Sequence, residues 1–301
     1  MLNNMLSFHR VLIILLFQFV HPRINSQDTL LHTVVSEVRE GKYSEKRELL
    51  AKTTVPLDVL SKLSPYLSDT AAYTRSAIIN IVFNIYEKNL GSKEVRVKTV
   101  EVLLHGCGDQ DEGVRQLSYP FLLKFSKNDF SEQERKIIKK LQAFPSTNDN
   151  LLLLYGVANL KKQKKILKKI ASDTSYCFNC TAWNAQLALA RMGSTEHIEN
   201  CIRKINRIKD VDDRVIYYSN DLGYMRSEKS IKILIDYLFS DNKISTDYGD
   251  VMKTPHACYT FSHLSDCIEN FPRLTIDDCL EKNITIARKW IIEHPNYKIR
   301  K

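Results

Sequence analysis

Residues 67–77 read LSDTAAYTRSA, and forty residues further on, residues 107–117 read CGDQDEGVRQL. Asp69 and Arg75 in the first stretch have the same separation as Asp109 and Arg115 in the second. Each Asp follows one apolar run and each Arg opens the next, so the pattern marks a recurring turn between two helices. An Asp at such a turn can accept N–H bonds from the start of the following helix. An Arg one turn into that helix can reach the Asp of a neighbouring unit. Repetition therefore predicts a polar ladder along one edge of stacked helix pairs. A third Asp, Asp149, follows after another forty residues, although Tyr155 stands where the Arg would be.

The rest of the chain agrees with helix, turn, helix. Apolar residues recur at three- and four-residue spacing from residue 28 onward, in runs such as Leu57–Leu67, Ala77–Tyr86, Val95–Leu104, Ala182–Met192 and Ala257–Ile268. Strand alternation is nowhere sustained. The 301 residues are 44% hydrophobic, which excludes global disorder. They include nine Gly, under half of the usual share of about 7%, and this disfavours turn-rich β-folds.

The stretches Leu67–Ala77 and Asp109–Arg115, with Ala185–Gly193 (AQLALARMG) and Leu222–Ser227 (LGYMRS), resemble HEAT-like repeats. The resemblance implies an all-α, right-handed α-solenoid of about six stacked helix pairs, since each pair buries its apolar face only against its neighbours. It places the repeats at 56–270, an atypical N-terminal helical cap at 27–55, and a C-terminal capping helix and tail at 271–301. In the last segment Thr275 and Asp278 form a capping-box-like start, Ile276, Cys279, Leu280, Ile284, Ala287 and Ile291 make one apolar stripe, and Asn296–Lys301 is expected to fray.

Residues 1–26 are expected to lie outside the fold. Arg10 precedes the ten-residue apolar run Val11–Val20, and the small Ser26 offers a cleavage point, as in a secretory signal peptide. The run is too short for a bilayer core that needs about 20 residues. The mature chain is thus expected to be secreted or periplasmic, with no transmembrane segment. Cleavage would lower the formal charge from +9 to +7.

Catalytic signatures are absent from the sequence: no Gly-x-Ser-x-Gly, phosphate loop, His-Glu-x-x-His or Gly-x-Gly-x-x-Gly after a strand. Some HEAT-like proteins resemble bilin lyases or alkylpurine glycosylases, but no catalytic constellation of either maps onto this chain. The expectation is a non-catalytic scaffold, without cofactor, that binds an unknown protein partner through a curved helical surface. The candidate binding residues are Arg75 and Arg115 at the helix openings, and Lys161, Lys162, Lys164, Lys165, Lys168 and Lys169, with Lys136, Lys139 and Lys140 on a preceding helix. The alternatives are a binder of acidic polymers or a membrane surface through that Lys-rich face and, ranked below it, a HEAT-like lyase-type enzyme. Nucleic acid is disfavoured by export and by the lack of Arg-and-aromatic alternation.

Seven Cys in an exported chain point to disulfides, and the odd number leaves a free thiol or an intermolecular bridge. Cys267 and Cys279 lie symmetrically about Pro272 and Arg273, so an antiparallel helix pair would set them side by side. Cys177 and Cys180 are a second candidate pair. Together with His197 and Cys201 they have zinc-like spacing, but Cys201 would sit about 10 Å along the helix axis from Cys180, too far to converge. His256, His263 and Cys267 share a helical stripe, with core packing favoured over metal binding. Tyr217, Tyr218, Tyr224, Tyr237, Tyr248 and Tyr259 likewise read as rings packed between helices before they read as binding anchors. Asn179 and Asn283 open glycosylation sequons that matter in a eukaryotic host.

Overall fold

The computed structural model describes residues 27–42, 44–141, 148–172, 181–244, 253–274 and 279–301. The described chain is all-helical apart from one short antiparallel ladder, and it forms two compact units that divide between Ser118 and Tyr119. That division falls inside the 56–270 stretch read from sequence as one run of repeats. It also falls inside a single helix, α6 (Glu112–Leu123), whose sequence contains Pro120.

The first unit begins with α1 (residues 27–39), α2 (Arg47–Ala51) and α3 (Pro56–Leu63). Pro56 sits in the first turn of α3, where its missing N–H leaves no helical bond unmade. A short 3₁₀ turn, Ser64–Ser68, leads to α4 (Ala72–Lys88) and α5 (Lys93–Cys107). In α4 Ile78, Ile79, Ile81, Val82, Phe83 and Ile85 are all buried, and the polar face narrows to a stripe through Ser76, Asn80, Asn84 and Glu87. Such a helix is stable only when neighbours cover most of its circumference, and α2, α3, α5 and the 3₁₀ turn all pack against α4. Val34 from α1, Leu50 from α2 and Leu60 from α3 join the same core. The start of α5 is fixed by Ser92, whose hydroxyl accepts the Val95 N–H at 3.2 Å.

The second unit contains α7 (Glu132–Lys140), α8 (Asn148–Val157), α9 (Lys164–Ala171), α10 (Thr181–Arg191), α11 (Thr195–Asn206), α12 (Val211–Met225), α13 (Glu228–Leu238), α14 (His256–Cys267) and α15 (Glu281–Glu293). Ser131 and Glu134 form a capping box at the start of α7. The Ala-rich α10 is central, packing on α8, α9, α11 and α12. Its Ala185, Ala188 and Leu189 form a core with Leu152 and Leu167. Strands β1 (Lys243–Ile244) and β2 (Thr254–Pro255) pair Ile244 with Thr254, and α14 then packs on α12 and α13.

Two terminal expectations need correction. The last helix starts at Glu281, with Leu280 at its cap and 56% exposed, so Cys279 and Leu280 precede the helix and take no part in its apolar stripe. Thr275–Asp278 lie outside the described residues. The tail does not fray: the Glu269 N–H donates to the Lys298 carbonyl at 2.9 Å and the Arg300 N–H to the Cys267 carbonyl at 2.8 Å, around a bridge between Ile268 and Ile299. Among the described residues no helix is long and apolar enough to cross a membrane.

Candidate interaction surface

The polar ladder is present in the first unit. Arg75 donates from Nε and one terminal nitrogen to the two oxygens of Asp109, both at 2.7 Å, and from its other terminal nitrogen to the Asp69 carbonyl at 2.7 Å. Asp109 also accepts the Asp111 N–H at 2.8 Å. Arg39 makes the preceding rung to Asp69 at 2.8 Å, and Asp69 accepts the Ala71 N–H. Arg115 repeats the pattern by donating to the carbonyls of Asp109 and Gln110, each at 2.8 Å. Burial alone would raise the Asp109 carboxyl, but the Arg75 guanidinium and the Asp111 N–H outweigh it and hold the group below its ordinary range. Arg75 and Arg115 are 4% and 6% exposed. They were expected at a binding surface and instead tie the turns together, because a guanidinium beside several helix-end oxygens gains more by bonding them than by facing water.

The lysines behave oppositely. Lys161 and Lys162 are exposed on a 3₁₀ turn, and Lys165, Lys168 and Lys169 are exposed on α9, with Lys164 half-buried. Leu167 is the buried anchor of α9, and Ile166 is 52% exposed among the cations. Among the described residues none of the six lysines is ion-paired, and α9 itself carries no acid. Lys168 and Lys169 complement the partial negative charge at the helix C-terminus. Among the described residues the strip therefore carries positive charge that no ion pair offsets. On α7, Lys136 and Lys140 are exposed and Lys139 is half-buried.

The disulfide partner of Cys279 is Cys258, with the Cα atoms 5.4 Å apart, and the expected partner Cys267 is buried and free. Cys267 closes α14 and points its thiol at the Gly223 carbonyl, 3.0 Å away, whereas Cys258 lies near the start of that helix. Cys177, Cys180, Asn179 and Tyr248 lie outside the described residues. Cys201 is fully buried, which pushes its thiol up to about 12, and the His197 ring bonds to the Ser194 hydroxyl at 2.7 Å. His256 is fully buried and bonds to Asp212 at 2.7 Å. Tyr224 and Tyr237 are buried, while Tyr217 is 64% exposed.

The second unit also holds a polar cluster around Arg191 and Arg226, neither of which the sequence marks as a site residue. Arg191 ends α10 and donates to the Tyr224 and Phe125 carbonyls at 3.0 and 3.1 Å. Arg226 follows α12 and donates to the Lys124 carbonyl at 2.6 Å and the Arg300 carbonyl at 3.2 Å. Desolvation, reinforced by the nearby Arg226 charge, brings Arg191 down to about 9. On the adjoining faces of α12 and α14, burial pushes the Asp221 carboxyl up to about 6 and His263 down to about 4. Both arginines lie near the ends of stretches, Ala185–Gly193 and Leu222–Ser227, that carry the repeat resemblance. No protein-family model matches the chain, and neither does any curated protein.

Proposed function

We propose that the chain is an exported, non-catalytic scaffold of HEAT-like helix pairs, capped at 27–55 and 271–301, which binds an acidic protein surface through the lysine face at residues 161–169. The observation that carries this reading is the group of six lysines around the exposed Ile166, none of them ion-paired among the described residues. An apolar side chain within a cationic strip suits a protein partner, whose apolar contact survives when salt screens the charges. The Arg–Asp rungs of the first unit support the repeat reading. The Cys258–Cys279 bridge supports export, because structural disulfides persist in oxidising compartments.

The test is a pull-down from the native extracellular or envelope fraction with the mature chain from Gln27 onward, in low and high salt. A parallel sample carries Lys161→Gln, Lys162→Gln, Lys165→Gln, Lys168→Gln and Lys169→Gln. One protein that persists in high salt and associates about tenfold or more slowly with the variant supports the scaffold. Recovery of anionic polymers alone, all lost in high salt, replaces it with the second reading, a binder of acidic polymers or membrane surfaces. A partner held equally by both samples removes the lysine face from the function.

A further inference from the structure

A cavity of about 350 Å³ lies within the second unit, lined by side chains from α8, α10, α12 and α14 and by the end of α6. Four polar side chains on its wall, Asn150, Asn220, Ser262 and His263, bond to nothing among the described residues. Asp221 joins them from α12, and one of its carboxyl oxygens accepts the Trp183 indole N–H at 2.8 Å while the other accepts no bond from the described residues. Polar side chains within a folded unit are mostly bonded to backbone, to water or to one another. These five converge on one cavity and leave donors and acceptors there for an occupant.

Net charge does not select that occupant. The carboxylates Asp221 and Asp266 on the wall are matched by the cations Lys124 and Arg226. Asp266 lies 3.4 Å from Arg273 and 3.9 Å from Lys124, and Arg226 is bonded to the carbonyls of Lys124 and Arg300. Burial brings His263 down to about 4, so its ring is neutral at pH 7. What remains unspent is two amides, a hydroxyl, a neutral imidazole and a carboxylate oxygen, a mixed set that suits a neutral molecule with several hydroxyl groups. Pro120, Leu123, Leu153 and Leu187 give the rest of the wall an apolar character.

The polar set is also held in place. Trp183, which orients Asp221, is 1% exposed. A Cβ on Gly223 would lie 3.0 Å from the His263 Cβ, so the missing side chain lets α12 and α14 approach closely at the cavity. Groups fixed before binding lose little freedom when a ligand arrives.

We propose that this cavity binds one hexopyranose unit of a neutral carbohydrate, whose hydroxyl groups are received by Asn150, Asn220, Asp221, Ser262 and His263. The C–H face of the ring packs against Leu153 and Leu187. The volume falls in the range of about 300–1,000 Å³ found for small-molecule sites. The lysine face takes no part.

Saturation-transfer NMR and calorimetric titration with the methyl glycosides of glucose, galactose, mannose and N-acetylglucosamine test the proposal, with n-butylamine and acetate as charged controls. Saturable one-site binding of at least one glycoside is expected, with both controls at least about tenfold weaker. Asn220→Ala combined with Ser262→Ala, which removes no bond made among the described residues, should weaken that glycoside by about tenfold. Asp221→Asn should weaken it by about as much without lowering the unfolding temperature at pH 7.5, which separates lost binding from lost folding. The lysine-face variant should bind as the wild type does. The proposal is overturned if no glycoside binds saturably, if both cavity variants keep full affinity, or if the loss is confined to the lysine-face variant. Butylamine or acetate binding as tightly as the glycoside would overturn it too, by making the site one for an ion.

Discussion

Arg75 and Asp109 form a two-pronged ion pair between the start of α4 and the turn after α5, and their side chains are 5% and 9% exposed. A guanidinium and a carboxylate withdrawn this far from water depend on each other, because loss of one leaves the other desolvated and unmatched. Asp109→Asn is therefore expected to destabilise the protein by about 3–5 kcal/mol in urea unfolding at pH 7. The carboxyl is held below its ordinary range, so its contribution is full above about pH 4 and is lost as pH falls through the folded-state value. The variant and the wild type should converge in acid. A constant gap from pH 7 down to pH 2 would show that the charge of Asp109 is not what stabilises the turn.

This rung was legible from two residue types at one spacing, because the bond it makes is local to a recurring turn. The rung to Asp69 was not, since its donor Arg39 sits in a first helix without the repeat's signature. Exposure was misjudged for Arg75 and Arg115, and the reason is physical: spacing places an Arg beside a helix end but does not say whether neighbouring helices cover it. On α9, Lys165, Lys168 and Lys169 are exposed around the buried Leu167, as their spacing suggests, whereas Ile166 lies exposed among them although an apolar residue at that spacing is expected inside. The proximity of Arg191 and Arg226 needed coordinates, since they stand 35 residues apart in sequence and each reads alone as an ordinary C-terminal charge.

The pairing of Cys279 with Cys258 rather than Cys267 gives a second prediction. The expected pair assumes that Cys279 sits on a helix antiparallel to α14, yet α15 starts two residues later, and Cys279 lies beside Cys258 near the start of α14. Peptide mapping without reduction should recover Cys258 joined to Cys279. Cys258→Ser should destabilise the oxidised protein by about 3 kcal/mol, given the length of the loop that the bridge closes. Cys267→Ser should leave the bridge in place. Recovery of Cys267 joined to Cys279 would refute the pairing.

Asp221 supplies a prediction of opposite sign to that for Asp109. The Trp183 indole N–H donates to its carboxyl at 2.8 Å, but burial dominates and raises the group to about 6. Between about pH 4 and that value the folded state holds the proton more tightly than the unfolded one, so stability falls as pH rises through the window and stays lower above it. Asp221→Asn keeps an oxygen for Trp183 and removes the charge. It should stabilise the protein at pH 7.5 by at most about 3 kcal/mol and have little effect at pH 4. Thermal unfolding at the two pH values checks this. A variant less stable than the wild type at pH 7.5 would mean that the carboxylate is favoured by the cations nearby.

The approach of α8 to α10 depends on Gly156. A Cβ there would lie 2.8 Å from the Ala188 Cα and 2.9 Å from its carbonyl oxygen, and would also meet the Tyr224 hydroxyl. That hydroxyl donates to the Leu153 carbonyl at 2.6 Å and has no room to yield without losing its bond while buried. Neither helix backbone can give way without moving its own core residues, Leu152 on one side and Ala185 and Leu189 on the other. Gly156→Ala should thus destabilise by about 1–3 kcal/mol, even though Ala is the better helix former by about 1 kcal/mol. Gly91 has nothing within 4 Å of an added Cβ and no positive φ, so Gly91→Ala should be neutral or stabilise by a few tenths of a kcal/mol. Urea unfolding of the two variants side by side separates steric cost from backbone entropy, and equal behaviour would show that α8 and α10 do not meet at Gly156.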